Sequence, residues 1–358
     1  MKKLLACLLT LMLCFPFAQA ETVLYVDGDD SDRVHLRVGP SSEEESLGLY
    51  LTGTPVILLE NAAEDWCWVR IGAETGCMMR RYLTQSMPES VNAWRLVDNP
   101  NGTWVNLRLS PSMDGLVALC PDNGELVQVL GETSTGWSYV AFGSVTGYMV
   151  TDYLAEIPQQ RTTILGTTAD RDYIHRYTAP GGEEIYLTAL EEEPPIVFRD
   201  VNFDGMADIV VFVSLGASNF FAEFFVYDKA SDTYVRAEHP GIDYGICNYG
   251  LDPELGIVHS GANNGYAGAL HEDCLFRWEG NELVLIRRAV SEEWTERSFE
   301  AGIHTQVTHS DVLHITVRDY QADEYGGTLI FEAMVSTEDA DFRDTLTKEN
   351  EALWQGLR

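Results

Sequence analysis

Residues 34 to 83 recur at 105 to 154 with a constant offset of 71 positions. Arg37 returns as Arg108, Pro40 as Pro111, Gly53 as Gly124, Trp66 as Trp137, Trp68 as Tyr139, Gly76 as Gly147 and Tyr82 as Tyr153. Turn glycines, apolar positions and aromatics keep register over about fifty residues, which marks a duplicated folding unit. Both copies must therefore adopt one backbone. Binding modules are commonly duplicated, whereas a single-site catalyst seldom needs it.

Within each copy, short segments of strand character alternate with glycine and small polar residues. They are Val34 to Val38, Pro55 to Leu59 and Trp66 to Ile71, and then Val105 to Leu109, Glu125 to Leu130 and Trp137 to Phe142. About five short strands in so short a unit predict a small closed barrel, because closure removes exposed sheet edges. The string Leu36-Arg37-Val38-Gly39-Pro40-Ser41, Gly53-Thr54-Pro55-Val56, Trp66 to Ile71, Gly76 and Arg81-Tyr82-Leu83, with its second copy, resembles the bacterial SH3 (SH3b) domain. The two copies cover about a third of the chain. The resemblance implies attachment to peptidoglycan or another envelope polymer and implies no catalysis. Its candidate ligand-binding residues are Trp66, Trp68, Trp137 and Tyr139 as flat faces, with Arg37 and Arg108 as donors. Packing is the competing role, since one face of that strand must fill the core. Cys77-Met78-Met79 departs from the family pattern and makes the first copy the weaker binder on this reading.

The N-terminus reads as a secretory signal: Lys2 and Lys3, an apolar stretch from Leu4 to Phe17, and Ala18-Gln19-Ala20 before Glu21. No later run reaches the roughly twenty apolar residues that cross a bilayer, so no transmembrane segment is expected after cleavage. The formal net charge is −33, with 23 basic against 56 acidic residues, and loss of Lys2 and Lys3 makes it more negative still. Nucleic acid is thereby an unfavourable partner, and contact with anionic wall polymers must come through stacking, hydrogen bonds or bridging cations. Of seven cysteines, Cys7 and Cys14 leave with the signal. Cys67, Cys77, Cys120, Cys247 and Cys274 remain in a disulfide-permissive chain. Cys67 and Cys77 flank an apparent hairpin and are expected to pair, and Cys247 with Cys274 is a second option.

The C-terminal half begins after the linker at 155 to 162 and centres on Asp200-Val201-Asn202-Phe203-Asp204-Gly205-Met206-Ala207-Asp208. Oxygen side chains at positions 1, 3, 5 and 9, with glycine at 6, meet the needs of a hard cation taking six or more oxygens. An EF-hand would carry glutamate at position 12 and a following helix, but Val211 stands there in a β-branched run. The loop instead resembles those of the FG-GAP/VCBS class in integrin-like β-propellers. That resemblance implies a structural calcium held by Asp200, Asn202, Asp204, the Met206 carbonyl and Asp208. Residues 165 to 290 also resemble secreted propeller-like bacterial proteins, some of which inhibit lysozyme-like effectors. Hairpins are expected around Asp228 to Asp232 and Glu279-Gly280-Asn281, and a short helix near Thr345 to Leu357.

No zinc-protease helix, serine elbow or cysteine-hydrolase start occurs. His259, His271, Glu272 and Asp273 are the best catalytic-looking group, without supporting spacing, and Cys247 and Cys274 lack Cys-x-x-Cys context. The sequence reading is thus an all-β exported protein that is not an enzyme. It comprises a signal peptide (1–20), two small SH3-like barrels (21–86 and 87–156) and a calcium-loop, β-propeller-like antiparallel domain (163–358). It is expected outside the cytoplasm and associated with the cell wall, with peptidoglycan or another envelope polymer and an envelope protein as partners. Inhibition of a lysozyme-like wall hydrolase is the alternative, and an accessory or divergent peptidoglycan hydrolase the second.

Overall fold

The computed structural model describes residues 21–28, 33–63, 65–88, 93–239, 245–265, 269–300, 303–321 and 326–357. The signal peptide and Tyr266 to Gly268 lie outside them. Chain packing divides the molecule into two compact units. One comprises the chain up to Val91 with Leu109–Leu116 and Leu130–Tyr139; the other comprises Asn92–Arg108, Val117–Val129 and Val140–Arg358.

The first unit carries β1 (Thr22–Val26), β2 (Arg33–Arg37), β3 (Ser46–Leu51), β4 (Pro55–Ala63), β5 (Trp66–Ile71), β6 (Glu74–Met79) and β7 (Leu83–Thr84). They pair in the order β3-β2-β6-β5-β4-β1-β7. Period-two alternation buries Cys67, Val69 and Ile71 on one face of β5 and leaves Trp66, Trp68 and Arg70 half-buried on the other.

The second copy supplies β8 (Trp94–Val97), β9 (Leu107–Arg108), β10 (Val117–Leu119), β11 (Leu126–Thr133), β12 (Trp137–Phe142), β13 (Val145–Val150) and β14 (Leu154–Ala155). Its register repeats the first at the sequence offset. Leu24 faces Val56 as Arg95 faces Val127, Val26 faces Leu83 as Val97 faces Leu154, and Arg37 faces Cys77 as Arg108 faces Tyr148. Loop bonds repeat too: Val38 N–H to Glu45 carbonyl becomes Leu109 N–H to Leu116 carbonyl. Gly76 is required because a Cβ there would stand 2.6 Å from the Arg37 carbonyl oxygen, and Gly147 because one would stand 2.6 Å from that of Arg108.

Among the described residues the strands of the repeats run as an open path rather than the expected closed barrels. The outer edge of β3 is occupied by β11, with Tyr50 facing Gly131, Leu49 facing Glu132 and Gly48 facing Thr133. Ser134 N–H to the Leu47 carbonyl (2.8 Å) and Thr54 Oγ1 to the Leu130 carbonyl (2.6 Å) extend the join. The copies are joined edge to edge, which satisfies the strand edge that closure would have satisfied.

The remaining strands make three antiparallel sheets. The first holds β15 (Thr162–Thr167), β16 (Tyr173–Thr178) and β17 (Glu184–Ala189). The second holds β18 (Ile196–Arg199), β19 (Asp208–Leu215), β20 (Phe220–Asp228), β21 (Thr233–Arg236) and β22 (Ile246–Cys247). The third holds β23 (Gly250–Asp252), β24 (Ile257–Gly265), β25 (Leu270–Glu279), β26 (Glu282–Glu300), β27 (Ile303–Asp319) and β28 (Thr328–Ser336). Both anticipated hairpins occur, closing at Asp228 with Thr233 and at Glu279 with Glu282.

Helix α1 spans Phe342–Trp354, three residues earlier than its expected bounds. Ala352 and Leu353 pack it on Ile257, Leu275, Ile286 and Val317. Its C-terminal carbonyls are met by buried Arg287, whose Nη1 donates to Ala352, Leu353 and Gln355 while Nε and Nη2 bind Asp319 Oδ2. Carbonyls left over at a helix end favour such a cation. Among the described residues no helix is long and apolar enough to cross a membrane.

All five cysteines of the described chain are free thiols, correcting both disulfide expectations. Cys77 faces Trp68, so it points to the opposite side of the β5–β6 pair from Cys67, which faces Met78. Cys274 faces Ser260, whose hydroxyl binds the backbone N–H and carbonyl of Cys247.

Candidate functional site

The loop between β18 and β19 is built on acidic side chains that organise its own backbone. Asp200 Oδ1 accepts from Asp204 N–H (3.0 Å) and Oδ2 from Gly205 N–H (2.8 Å), while Asp204 Oδ1 accepts from Met206 N–H (2.8 Å). Asn202 Oδ1 also accepts from Asp204 N–H, and its amide donates to Asp204 Oδ2. Asp208 is fully buried and accepts from Val201 N–H at 2.8 Å and Tyr227 N–H at 2.9 Å, pinning the loop to β20. The tight path needs left-handed backbone at Phe203 (φ 65°) and Gly205 (φ 82°). A Cβ at Gly205 would also collide with the Gly143 backbone, whose N–H donates to the Gly205 carbonyl at 3.1 Å.

Electrostatics and burial work against three carboxylates in one loop. Burial, reinforced by Asp204, pushes Asp200 up to about 6 despite its N–H bonds. Burial, with Asp200 and Asp204 nearby, raises Asp208 well above the ordinary carboxylate range. A divalent cation would relieve that repulsion, and the donors are the hard oxygens calcium takes. Among the described residues no three His, Cys, Asp or Glu side chains already stand at metal-ligand spacing. Here the carboxylates are turned onto the loop's N–H groups, each oxygen keeping a second lone pair.

Beside this loop lies a cleft of about 220 Å³, one wall of which is Met206 and Ala207. Asp122, Glu125, Glu183 and Asp232 line it with Tyr227 and Tyr234. Tyr227 Oη donates to Asp232 Oδ1 at 2.7 Å, and Glu183 Oε2 accepts from Tyr234 N–H at 2.7 Å. Burial raises Glu125 against the bond it accepts from Asp122 N–H; the charges of Asp122 and Asp232 add to the rise and Lys229 opposes it. Burial likewise raises both tyrosines, so they stay neutral donors. The cleft therefore offers an acidic, aromatic-sided environment suited to a cationic group. Sequence reading missed it because its residues come from four separated segments.

The repeat residues are placed unequally. Trp137 and Tyr139 are 8% and 4% exposed, and Tyr139 meets Tyr50 edge-on with ring centroids 6.3 Å apart. They are core residues and present no open face to a sugar. Trp66 and Trp68 are half-buried. Arg37 and Arg108 are half-buried at the foot of matching loops, and Arg37 Nη1 donates to the Glu44 carbonyl at 2.7 Å.

No family model matches the chain, and no curated protein matches it. Three solved structures show slight likeness. NlpC1 from Trichomonas vaginalis is 14% identical, with TM-score 0.21 over 62% of this chain and 89% of that one. NlpC2 from Trichomonas vaginalis is 13% identical, with TM-score 0.21 over 63% and 95%. A Xanthomonas type IV secretion system related protein is 14% identical, with TM-score 0.25 over 57% and 99%. At these TM-scores the likenesses carry no argument about fold or activity.

Proposed function

We propose that this is an exported, non-enzymatic binding protein of the cell envelope. Its SH3b-like repeats contact the wall, and its calcium-stabilised C-terminal half takes a cationic group in the acidic cleft. The observation that carries the reading is the cleft itself: four acidic residues and two tyrosines line it, against the wall formed by the acidic loop. A bound calcium would set the position of Met206 and Ala207 and so the shape of the site. The SH3b kinship and the propeller-like kinship rest on motif order. Within the repeats the half-exposed Trp66 and Trp68 are the better envelope face, since Trp137 and Tyr139 are buried.

Co-sedimentation of residues 21–358 with purified sacculi, with and without calcium, tests the envelope reading. Saturable pelleting that falls in a Trp66→Ala, Trp68→Ala protein supports it; no pelleting in either condition refutes it. Calcium is tested by melting: at one hundred times the Kd, binding adds about 2.7 kcal/mol. The shift should vanish with chelator and in Asp204→Ala. The second reading, an inhibitor of a lysozyme-like wall hydrolase, is favoured by the same cleft together with the net charge of −33, which suits a basic protein partner. A one-to-one complex with loss of hydrolase activity would select it. Release of muropeptides by the protein alone would instead reveal an enzyme.

A further inference from the structure

The C-terminal helix is fastened to the third sheet at two points of different chemistry. At its end, Arg287 Nη1 donates to the Ala352, Leu353 and Gln355 carbonyls, and a guanidinium keeps its charge across the physiological pH range. About one turn earlier, Glu349 is 3% exposed, and its Oε1 lies 3.0 Å from Nε2 of His271 on β25. The other ring nitrogen, Nδ1, lies 3.2 Å from the Ala269 carbonyl oxygen. Together these contacts set the protonation of the ring. A carbonyl oxygen only accepts, so Nδ1 carries a hydrogen; an ionised carboxylate only accepts, so Nε2 carries the second. Both bonds stand only while the imidazole is charged.

The surroundings favour that charge. On β25 itself, Asp273 Oδ2 stands 3.8 Å from His271 Nε2, and on β24 His259 Nε2 is 2.9 Å from Asp273 Oδ1. On β26, Ser291 faces His271, and Glu293 follows two residues on along the same face. Glu272 and Arg288 pair with each other on the opposite face, at 2.7 Å. On α1, Glu349 is turned to the ring, whereas Lys348 reaches Asp344 at 2.6 Å. The carboxylates of Asp273, Glu293 and Glu349 therefore surround His271, and opposite charge nearby holds a proton on an imidazole. A cleft of about 300 Å³ opens beside the pair, with Leu346, Glu349, Asn350 and Leu353 as its helical wall. Solvent protons reach the contact through it.

We propose that His271 and Glu349 form a proton-dependent latch, which holds the middle of α1 on the third sheet in mildly acidic solution and loosens it as pH rises through the imidazole range, about 5 to 8. The sign follows from the proton count. Docked, the ring keeps both hydrogens; released, it is free to give one up. The docked state thus binds more protons, and its stability falls as pH rises. Loss of the proton leaves a bare nitrogen lone pair against either the buried carboxylate or the Ala269 carbonyl, and a buried acceptor without a donor is costly. The Arg287 fastening does not titrate in this range, so the end of the helix stays in place while its grip at Glu349 is lost. Loosening widens the cleft on its Leu346 side, away from Arg287.

Hydrogen exchange of the full mature chain, read on residues 342 to 354 at about pH 5.5 and about pH 8 and corrected for the intrinsic rate, tests this. The amides of α1 should be about tenfold better protected at the lower pH, the change that a shift of one pK unit in a single linked group supplies. Glu349→Gln is the informative variant. Its amide donates to a neutral Nε2, so the contact survives deprotonation and α1 should keep its protection at the higher pH. Nitrogen chemical shifts of the wild-type His271 ring give a reading that needs no variant: both nitrogens should be protonated at about pH 5.5, and the ring should lose its proton over the same interval in which α1 loosens. Equal protection of α1 at the two pH values, a folded Glu349→Gln protein that keeps the wild-type drop, or a neutral His271 ring at about pH 5.5 would overturn the proposal.

Discussion

The two copies of the repeat share a backbone and differ in what they do with it. Their pairings and loop bonds correspond at the offset of 71, yet the same loop carries Glu43, Glu44 and Glu45 in one copy and Asp114, Gly115 and Leu116 in the other. Met113 and Leu116 are 69% and 75% exposed. The aromatic pair diverges as well: Trp66 and Trp68 are half-buried, whereas Trp137 and Tyr139 are buried. The lesson is that a repeated motif fixes strand register through glycines and alternation, while the role of each aromatic depends on what covers it.

The largest expected effect tests that inequality. Trp137→Ala should cost about 3–5 kcal/mol, the range for emptying a core aromatic site. Trp66→Ala should cost markedly less and act mainly on sacculus binding. Urea melts of the two proteins check this, and equal losses would break the contrast. Next, Gly76→Ala and Gly147→Ala should each cost roughly 1–3 kcal/mol by overpacking, and by similar amounts, because both glycines oppose a backbone carbonyl. A difference well beyond that range would mean that the shared backbone is not shared in energy.

A smaller effect is pH-dependent. Glu74, bonded by Tyr50 Oη at 2.8 Å, is raised above its ordinary value of 4.5 by burial, against which that bond works. Its counterpart in the second copy is Val145. A raised carboxylate binds its proton more tightly in the folded state. This contribution to stability is therefore present below the unfolded value and lost as pH rises through the folded one. Comparing wild type with Glu74→Gln by melts from pH 4 upward should isolate this slope, and a parallel pair of curves would remove it. The smallest effect on stability belongs to Met113→Ser with Leu116→Ser, within about 0.5 kcal/mol for exposed positions. If melting moves further than that, the exposed loop is structurally engaged.

Much of this fold was legible because glycines and alternating apolar residues report local geometry. The duplication, the hairpins at 228–232 and 279–281, the acidic loop and the C-terminal helix all have such signals. The β3–β11 join had none, since it depends on Gly48 and Gly131 lacking side chains at one particular register: a Cβ at Gly48 would lie 2.6 Å from the Glu132 carbonyl oxygen. The disulfide expectation failed on parity, which spacing across a hairpin does not give until the opposed pair, Trp68 with Cys77, is known. The acidic positions of the loop were readable, but the bond by which Asp208 holds Tyr227 on β20 was not. His271 and Asp273 could be noticed as neighbours in sequence; Glu349, 78 positions on, could not.

The β3–β11 pairing also bears on how such a chain could grow or be cut. A fragment ending after the first copy would present β3 with an unpaired edge carrying Gly48, Leu49 and Tyr50, the kind of edge that recruits another chain. The duplication is thus self-capping: each copy chaperones the other's exposed backbone, and neither would make a well-behaved freestanding module.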